Sequence, residues 1–446
     1  MRLLRELRAP RSPGELVHLQ NELLRAAVSR AASIPFYAEL WAERGFDPAS
    51  FGGLADLARL PVVGAEEARA AFQLVNSRDR YATSGSSGTP LSVPRGAAEQ
   101  RVWRAVGLRI WLEHGYRWSD VTLRFDSQAG PPHPLQRLGI SRTRWISNEL
   151  PLQERVDALL TAGARVVVGT PTVLRQVCAT LESRGIRPPR PRVVFVQGEV
   201  CDARTRALIA RSLGVEPVEL YGLTEVGYVA WQCERREGLH VNADAYVVEV
   251  LDDGVPVAPG QVGRVVVTDL RGRTMPLLRY DTGDLARTAD GPCRCGRPLP
   301  LLDSVEGRAN ESIVRRDGTL VPTRAIVDGL AKIISPDRFR VRQDADRRIW
   351  LDVAADADHE TVAAALESVI GEPLADITKT LPAPLSNAEK TCLSRRGRES
   401  KSGFGCTEAM MTWIPRCVAR RVRAGAGKVV TGGGPEPKLR FARTGR

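Results

Sequence analysis

Nowhere in its 446 residues does this sequence hold the ~20 consecutive apolar residues that a membrane-spanning helix needs. Its most apolar stretches, such as Arg165–Gly169 and Tyr246–Leu251, are only strand-length. Met1-Arg2-Leu3-Leu4-Arg5-Glu6 runs charge through what would be the apolar region of a signal peptide, so the expectation is a cytoplasmic chain with no membrane partner. Histidine is scarce. The five present (His18, His114, His133, His240, His359) sit in unrelated contexts, and no Gly-x-Ser-x-Gly precedes a helix, which excludes a Ser/His/Asp hydrolase pattern. No internal repeat is found. The eight cysteines imply no disulfide framework: Cys392, Cys406 and Cys417 lie in or beside the C-terminal tail, and Cys178 and Cys201 fall in α/β-like segments as reduced thiols.

The net charge of +12 would suggest nucleic acid, but its placement argues otherwise. Residues 391–446 carry 13 Lys+Arg against three acids, Glu399, Glu408 and Glu436, so the basicity belongs to the tail and the body is nearly neutral. Terminal charge with little aromatic interleaving reads as a solvated extension, which makes a non-catalytic or nucleic-acid-binding protein the weaker alternative.

Along the chain, Glu15–Arg30 repeats apolar residues at Leu16, Leu19, Leu23 and Ala27, a helical period within a helical first seventy residues. Strand and helix then alternate: Arg155–Thr161 helical, Arg165–Val168 a strand, Val173–Ser183 helical, Arg192–Val196 a strand, Ala203–Leu213 helical, Glu216–Leu220 a strand. Continuous apolar strands in that order predict an α/β fold with a parallel sheet covered on both faces. From Tyr246 the pattern becomes β-rich, with strands at Tyr246–Leu251 and Gly263–Thr268. A small α+β domain follows, with strands at Arg338–Arg342 and Ile349–Val353 and a helix at Glu360–Ile370. Beyond it the tail shows no sustained period.

Four short segments carry chemistry. Thr83-Ser84-Gly85-Ser86-Ser87-Gly88-Thr89-Pro90 combines glycines, which let amides approach an anion, with hydroxyl donors. Alone it reads equally as a flexible linker, and with no Lys after Gly88 it is not a Walker A loop. Leu220-Tyr221-Gly222-Leu223-Thr224-Glu225 runs a buried strand into an exposed Thr and Glu, at the carboxyl end where parallel sheets bind ligands. Taken alone, Glu225 is an ordinary solvated loop acid. Tyr280-Asp281-Thr282-Gly283-Asp284 sets an acid beside a glycine turn, and Gly307-Arg308-Ala309-Asn310-Glu311 completes the set; each by itself reads as a turn.

Together and in order, these segments resemble the core motifs of the adenylate-forming superfamily, and most closely its phenylacetate–CoA ligase-like branch. Ile34-Pro35-Phe36-Tyr37, Leu54–Pro61, Gln197-Gly198-Glu199, Gly238-Leu239-His240-Val241, Met275–Tyr280 and Cys293–Pro300 look like that branch as well, so the resemblance covers about residues 15–395. It implies a large AMP-binding domain over 1–307, with parallel-sheet α/β subdomains and a β-rich subdomain. A small, mobile α+β domain over 308–395 and a poorly matching basic tail over 396–446 complete the chain. It implies ATP-dependent activation of a small carboxylic acid, aryl or arylacetic, with release of pyrophosphate, then transfer to CoA. An amine, a hydroxyl or a carrier-protein thiol is the alternative acceptor, and a homodimer stays open.

Roles carry over by position. Residues 83–90 would hold the β- and γ-phosphates of ATP, with Gly198 and Glu199 on the adenine side. Tyr221, followed by Gly222, would lie against the adenine, Thr224 would contact the α-phosphate, and Glu225 would bind Mg²⁺. Asp284 would accept the ribose hydroxyls with Arg308 in support, and a mobile lysine, Lys390 by its Pro/Ser-rich approach, would serve adenylation. Thr89 and Asn310 depart from the pattern, since the family often has Lys at the first and Asp or Lys at the second. Finally, Cys233, His240, Cys293 and Cys295 supply four ligands of the kind a closed tetrahedral Zn²⁺ site uses. The competing reading is a tight Cys-x-Cys turn beside two unrelated residues.

Overall fold

The computed structural model describes residues 2–9, 11–75, 80–82, 91–127 and 134–381. By backbone contacts the chain divides into Met1–Arg396 and Gly397–Arg446. The second unit lies wholly outside the described residues.

The N-terminal helices are α1 (Arg2–Arg8), α2 (Pro13–Ala31), α3 (Pro35–Glu43) and α4 (Ala65–Gln73). Ser12 starts α2 with a capping box: its hydroxyl accepts from the Glu15 amide and Glu15 returns to the Ser12 amide, while Pro13 fills the first turn. A hairpin of β1 (Arg80–Ala82) and β2 (Ser92–Pro94) follows, then α5 (Ala97–Glu113).

The α/β portion contains β3 (Thr122–Asp126), β4 (Thr143–Ser147), α6 (Leu152–Thr161), β5 (Val166–Gly169), α7 (Pro171–Ser183), β6 (Val193–Gln197), α8 (Ala203–Leu213) and β7 (Val218–Leu223). Thr170 and Asp202 cap α7 and α8, and Gly214 closes α8 in the left-handed region. Next come β8 (Gly227–Gln232), β9 (Leu239–Val241), β10 (Tyr246–Asp252), β11 (Val255–Pro256), β12 (Val262–Asp269), β13 (Tyr280–Thr288) and β14 (Leu301–Arg308).

These strands form one twelve-stranded sheet in the order β11-β10-β12-β13-β14-β9-β8-β7-β6-β5-β3-β4. The β7-to-β4 half is parallel and the rest antiparallel. The sheet is therefore continuous from the parallel half into the β-rich half. One face of the parallel half packs Val166, Val168, Phe195 and Leu220 against the α2–α5 side, and the other packs Val167, Val194 and Val196 against α6–α8. Strands covered on both faces must be apolar throughout, which is why they stand out in the sequence.

After β14 come β15 (Ile313–Val314), β16 (Leu320–Val321), α9 (Thr323–Leu330), β17 (Phe339–Gln343), β18 (Ile349–Ala354), α10 (His359–Ile370) and β19 (Asp376–Leu381). They enclose a separate core around Leu330, Phe339, Leu351 and Leu366. Polar contacts join this region to the sheet. Arg324 donates to the Val305 carbonyl at 2.8 Å and pairs with Glu219 at 3.2 Å, and Asp328 accepts from the Ala203 amide at 3.2 Å.

Candidate functional site

The site lies at the end of β7, where the Tyr221 side chain meets those of Asp284 and Arg308 from β13 and β14. Three expectations need correction here. β7 does not stop at Leu220; it continues through Tyr221 to Leu223, because β8 returns antiparallel and pairs Leu223 with Gly227. Thr224 and Glu225 thus stand in a three-residue hairpin, and Glu225 is not solvent-facing. It is partly buried, its carboxylate accepts from the Tyr280 hydroxyl at 3.0 Å, and burial raises its pKa despite that bond. Asp284 likewise stands inside β13 rather than in a turn. Gly283, at φ 73°, takes the left-handed conformation and lets the strand run on.

Asp284 lies directly opposite Arg308 across β13 and β14. Its two oxygens take the Arg308 Nε at 3.0 Å and the Tyr221 hydroxyl at 2.8 Å. The residue is only 6% exposed, so burial raises its pKa while Arg308 opposes the shift. Burial pulls the Arg308 guanidinium down, but Asp284 and then Glu225 outweigh it and leave its pKa raised. Tyr221, Glu225, Asp284 and Arg308, predicted as one site from three places in the chain, are brought together.

Gly198 is exposed at the end of β6 with φ 79°, a backbone that needs glycine, and the Glu199 carboxylate accepts from the Thr172 amide in the first turn of α7. The hydroxyl-rich residues 83–90 and Lys390 lie outside the described residues. So do residues 128–133 of Phe125–Ile146, the Pro-, Gly- and Arg-rich segment that the resemblance aligns with the acyl pocket.

One neighbour was missed by sequence reasoning. The Arg95 guanidinium is sandwiched between the rings of Tyr81 and Trp103, 3.7 and 3.6 Å from their centroids, and donates to the Thr224 carbonyl at 2.8 Å. Burial draws its pKa down to about 10, against the pull of Tyr81 and Glu225. Only contacts between residues distant in sequence reveal it.

The branch-like segments near the N-terminus buttress the site. The Tyr37 hydroxyl donates to the Pro276 carbonyl at 2.7 Å and accepts from the Leu278 amide at 3.1 Å. Arg279, buried at φ 46°, binds both oxygens of Glu249 at 3.0 Å and also the Ala58 and Leu60 carbonyls. Val63 exchanges backbone hydrogen bonds with Arg279 and Asp281, which fixes the start of β13.

A second cluster lies at the sheet's centre, around β8, β9 and β14. Cys233 follows β8, His240 lies in β9, and Cys293 and Cys295 sit in the β13–β14 connection. Their ligand atoms fall within 4.8 Å of one another. Cys233 Sγ is 3.6 Å from Cys293 Sγ, and Cys295 Sγ is 3.3 Å from His240 Nε2. A tetrahedral Zn²⁺ with bonds of about 2.3 Å to sulfur and about 2.0 Å to nitrogen has edges of roughly that length. Burial, then Arg297, lowers the His240 pKa to about 4, so its imidazole is neutral, the form that ligates. Burial works to raise the Cys295 thiol, but the Arg297 amide and guanidinium overcome it and lower the pKa. By contrast Cys178 and Cys201 are buried, and burial pushes each up to about 12, as in inert core thiols.

No family model matches the chain. A phenylacetate–coenzyme A ligase of Thermus thermophilus is 27% identical over 353 residues, 73% of this chain and 78% of that protein. Another, from Escherichia coli, is 25% identical over 344 residues, 70% and 76% of the two chains. Among solved structures, 2-hydroxyisobutyryl-CoA ligase in the postadenylation state superposes with a TM-score of 0.69 at 20% identity, over 85% of this chain and 88% of that one, a likeness of fold. With the motif residues gathered in space as described, these relatives support the adenylate-forming superfamily, and its phenylacetate–CoA ligase-like branch, as the family this chain resembles.

Proposed function

We propose that the chain is an AMP-forming acid–CoA ligase: it joins a carboxylic acid to AMP, releasing pyrophosphate, and passes the acyl group to CoA. The observation that carries the reading is the Tyr221–Asp284–Arg308 cluster with Glu225 and Tyr280 beside it. A carboxylate accepts about four hydrogen bonds, so Asp284, held by Tyr221 and Arg308, keeps acceptor capacity for two ribose hydroxyls. The acid substrate is itself the nucleophile, so no general base is needed. The demand on the protein is to orient the reactants and balance charge as pyrophosphate departs.

Each group then has a task. Residues 83–90 hold the terminal phosphates, Gly198 and Glu199 border the adenine, Tyr221 with Gly222 lies against it, and Thr224 faces the α-phosphate. The Arg95 guanidinium fixes the Thr224 carbonyl and adds positive charge nearby. Glu225 would hold the Mg²⁺ that accompanies ATP, an ion that neutralises phosphate charge when bound. Cys233, His240, Cys293 and Cys295 would hold a structural Zn²⁺, an assignment that their spacing supports. Among the described residues no helix is long and apolar enough to cross a membrane.

The test is acid-dependent ATP–pyrophosphate exchange across a panel of carboxylic acids, followed by thioester formation with CoA. Absence of exchange with every acid, from folded protein, would overturn the assignment. Asp284→Ala is expected to raise the apparent KM for ATP by roughly 10- to 100-fold, the worth of hydrogen bonds to a charged group. A change confined to the KM of the acid would place Asp284 in the acyl pocket instead. Lys390 is proposed to supply the cation that adenylation needs on the carboxylate and α-phosphate oxygens. Lys390→Ala should stop exchange yet still convert supplied acyl-adenylate to thioester, and normal exchange in that variant would move the role to another lysine.

A further inference from the structure

Beside Thr224, the carboxyl ends of β3, β6 and β7 present a row of polar side chains that the adenylation chemistry does not use. The Tyr228 hydroxyl, from β8, donates to Gln197 Oε1 at 3.0 Å and accepts from the Arg124 guanidinium at 3.3 Å. Arg124 Nε donates to Asp126 at 3.1 Å, and its guanidinium lies 5.1 Å from the centre of the Trp145 ring. The Tyr228 ring rests on glycines. A Cβ at Gly222 would come within 3.2 Å of it, and one at Gly107 within 3.3 Å. Gly222 is exposed and stands two residues before Thr224, so the row begins where the acid's carboxylate must meet the α-phosphate.

As structure alone this row is costly. Arg124 pairs in register with Val168, and Val168 with Phe195, both fully buried apolar residues of the same sheet face. Replacing an ion pair at such a position by apolar side chains is often neutral or stabilising, so the pair is weakly explained by stability. A few convergent polar groups on an otherwise apolar wall are what a small-molecule pocket uses to choose and orient its ligand. The charge is also informative. Asp126 balances Arg124, so the wall offers hydrogen bonds without net charge, which suits a neutral hydroxyl and disfavours a second carboxylate.

We infer that Arg124, Tyr228 and Gln197 form the acid-binding wall, and that the substrate is an aryl acid bearing a hydroxyl remote from its carboxylate. This rests on the adenylation reading and names the substrate class for that site. Tyr228 keeps its bonds to Gln197 and Arg124 in any case, but an unsubstituted ring laid on this wall would strip water from the remaining donors of the Arg124 guanidinium and the Gln197 amide without replacing it, and such loss is how hydroxyl-reading sites reject the deoxy analogue.

The experiment measures kcat/KM by pyrophosphate exchange for matched acids, phenylacetate against its ring-hydroxylated forms and benzoate against hydroxybenzoates. The wild type should prefer a hydroxylated acid by about 10- to 100-fold, the value of one hydrogen bond to a charged group. Tyr228→Phe keeps the ring and removes only the hydroxyl, and Arg124→Leu removes the donor; each should bring the preference down to within about threefold, with the KM for ATP unchanged. A purely structural network would lower rates for both acids alike and leave their ratio intact. Equal or better use of the unsubstituted acids by the wild type, or an unaltered ratio in Tyr228→Phe, overturns the inference while the ligase assignment stands. No exchange with any acid would overturn both.

Discussion

Glu225→Gln is expected to lower ATP–pyrophosphate exchange by roughly 10²–10³-fold, the scale seen when one preorganised charge or donor is removed from a reacting phosphate or oxyanion. The substitution keeps the shape of the side chain and the bond from Tyr280, so geometry is nearly constant and only the charge is lost. Burial already raises the pKa of Glu225, which means that the folded protein bears a cost in holding it ionised. Neutralising it should therefore leave Tm unchanged or slightly higher, while the Mg²⁺ concentration for half-maximal exchange rises. Tyr280→Phe should do much less, since it removes a supporting hydroxyl and leaves the charge. Exchange at the wild-type rate in Glu225→Gln, with Mg²⁺ limiting, would show that the carboxylate has no part in holding the ion.

How much of this was legible beforehand depends on what each feature requires. The strand at Val166–Gly169 was visible because burial on both faces demands an unbroken apolar run. The extension of β7 through Leu223 was not visible, since it depends on β8 returning beside it rather than on the sequence of β7. Asp284 looked like a turn residue because Thr-Gly-Asp is turn chemistry. In the fold, Arg308 on the adjacent strand holds that segment extended, and Gly283 supplies the one unusual torsion. Glu225 was placed in solvent because its immediate neighbours suggested a loop tip, whereas the hydroxyl that covers it is 55 residues away. Arg95 carries no motif at all. Its two stacked rings and the carbonyl it binds are brought together only by tertiary structure.

The Cys293→Ser/Cys295→Ser double variant is expected to lose about one equivalent of zinc per chain and to unfold about 2–6 °C lower. The four ligands bridge the end of β8, the middle of β9 and the connection between β13 and β14. His240 pairs directly with Trp231 on one side and Leu301 on the other, and β13 and β14 are the strands that carry Asp284 and Arg308. An ion there would act as a cross-link between segments about 60 residues apart, and its binding free energy would count toward folding. Taking a cross-link to contribute about 2–5 kcal/mol, as a disulfide does, and about 1.2 °C per kcal/mol for a unit the size of Met1–Arg396, from an unfolding entropy of about 2.1 cal/mol/K per residue, gives that shift. Activity should fall less than in Glu225→Gln, because the cluster shapes the sheet behind the site and holds no reacting group. Its loss should appear first as a lower inactivation temperature and only then as a lower rate. Elemental analysis and thermal unfolding of the purified full chain decide the matter. Wild-type protein free of metal, fully active, with the same Tm as the double variant, would leave the four residues as a packed thiol–imidazole cluster and nothing more.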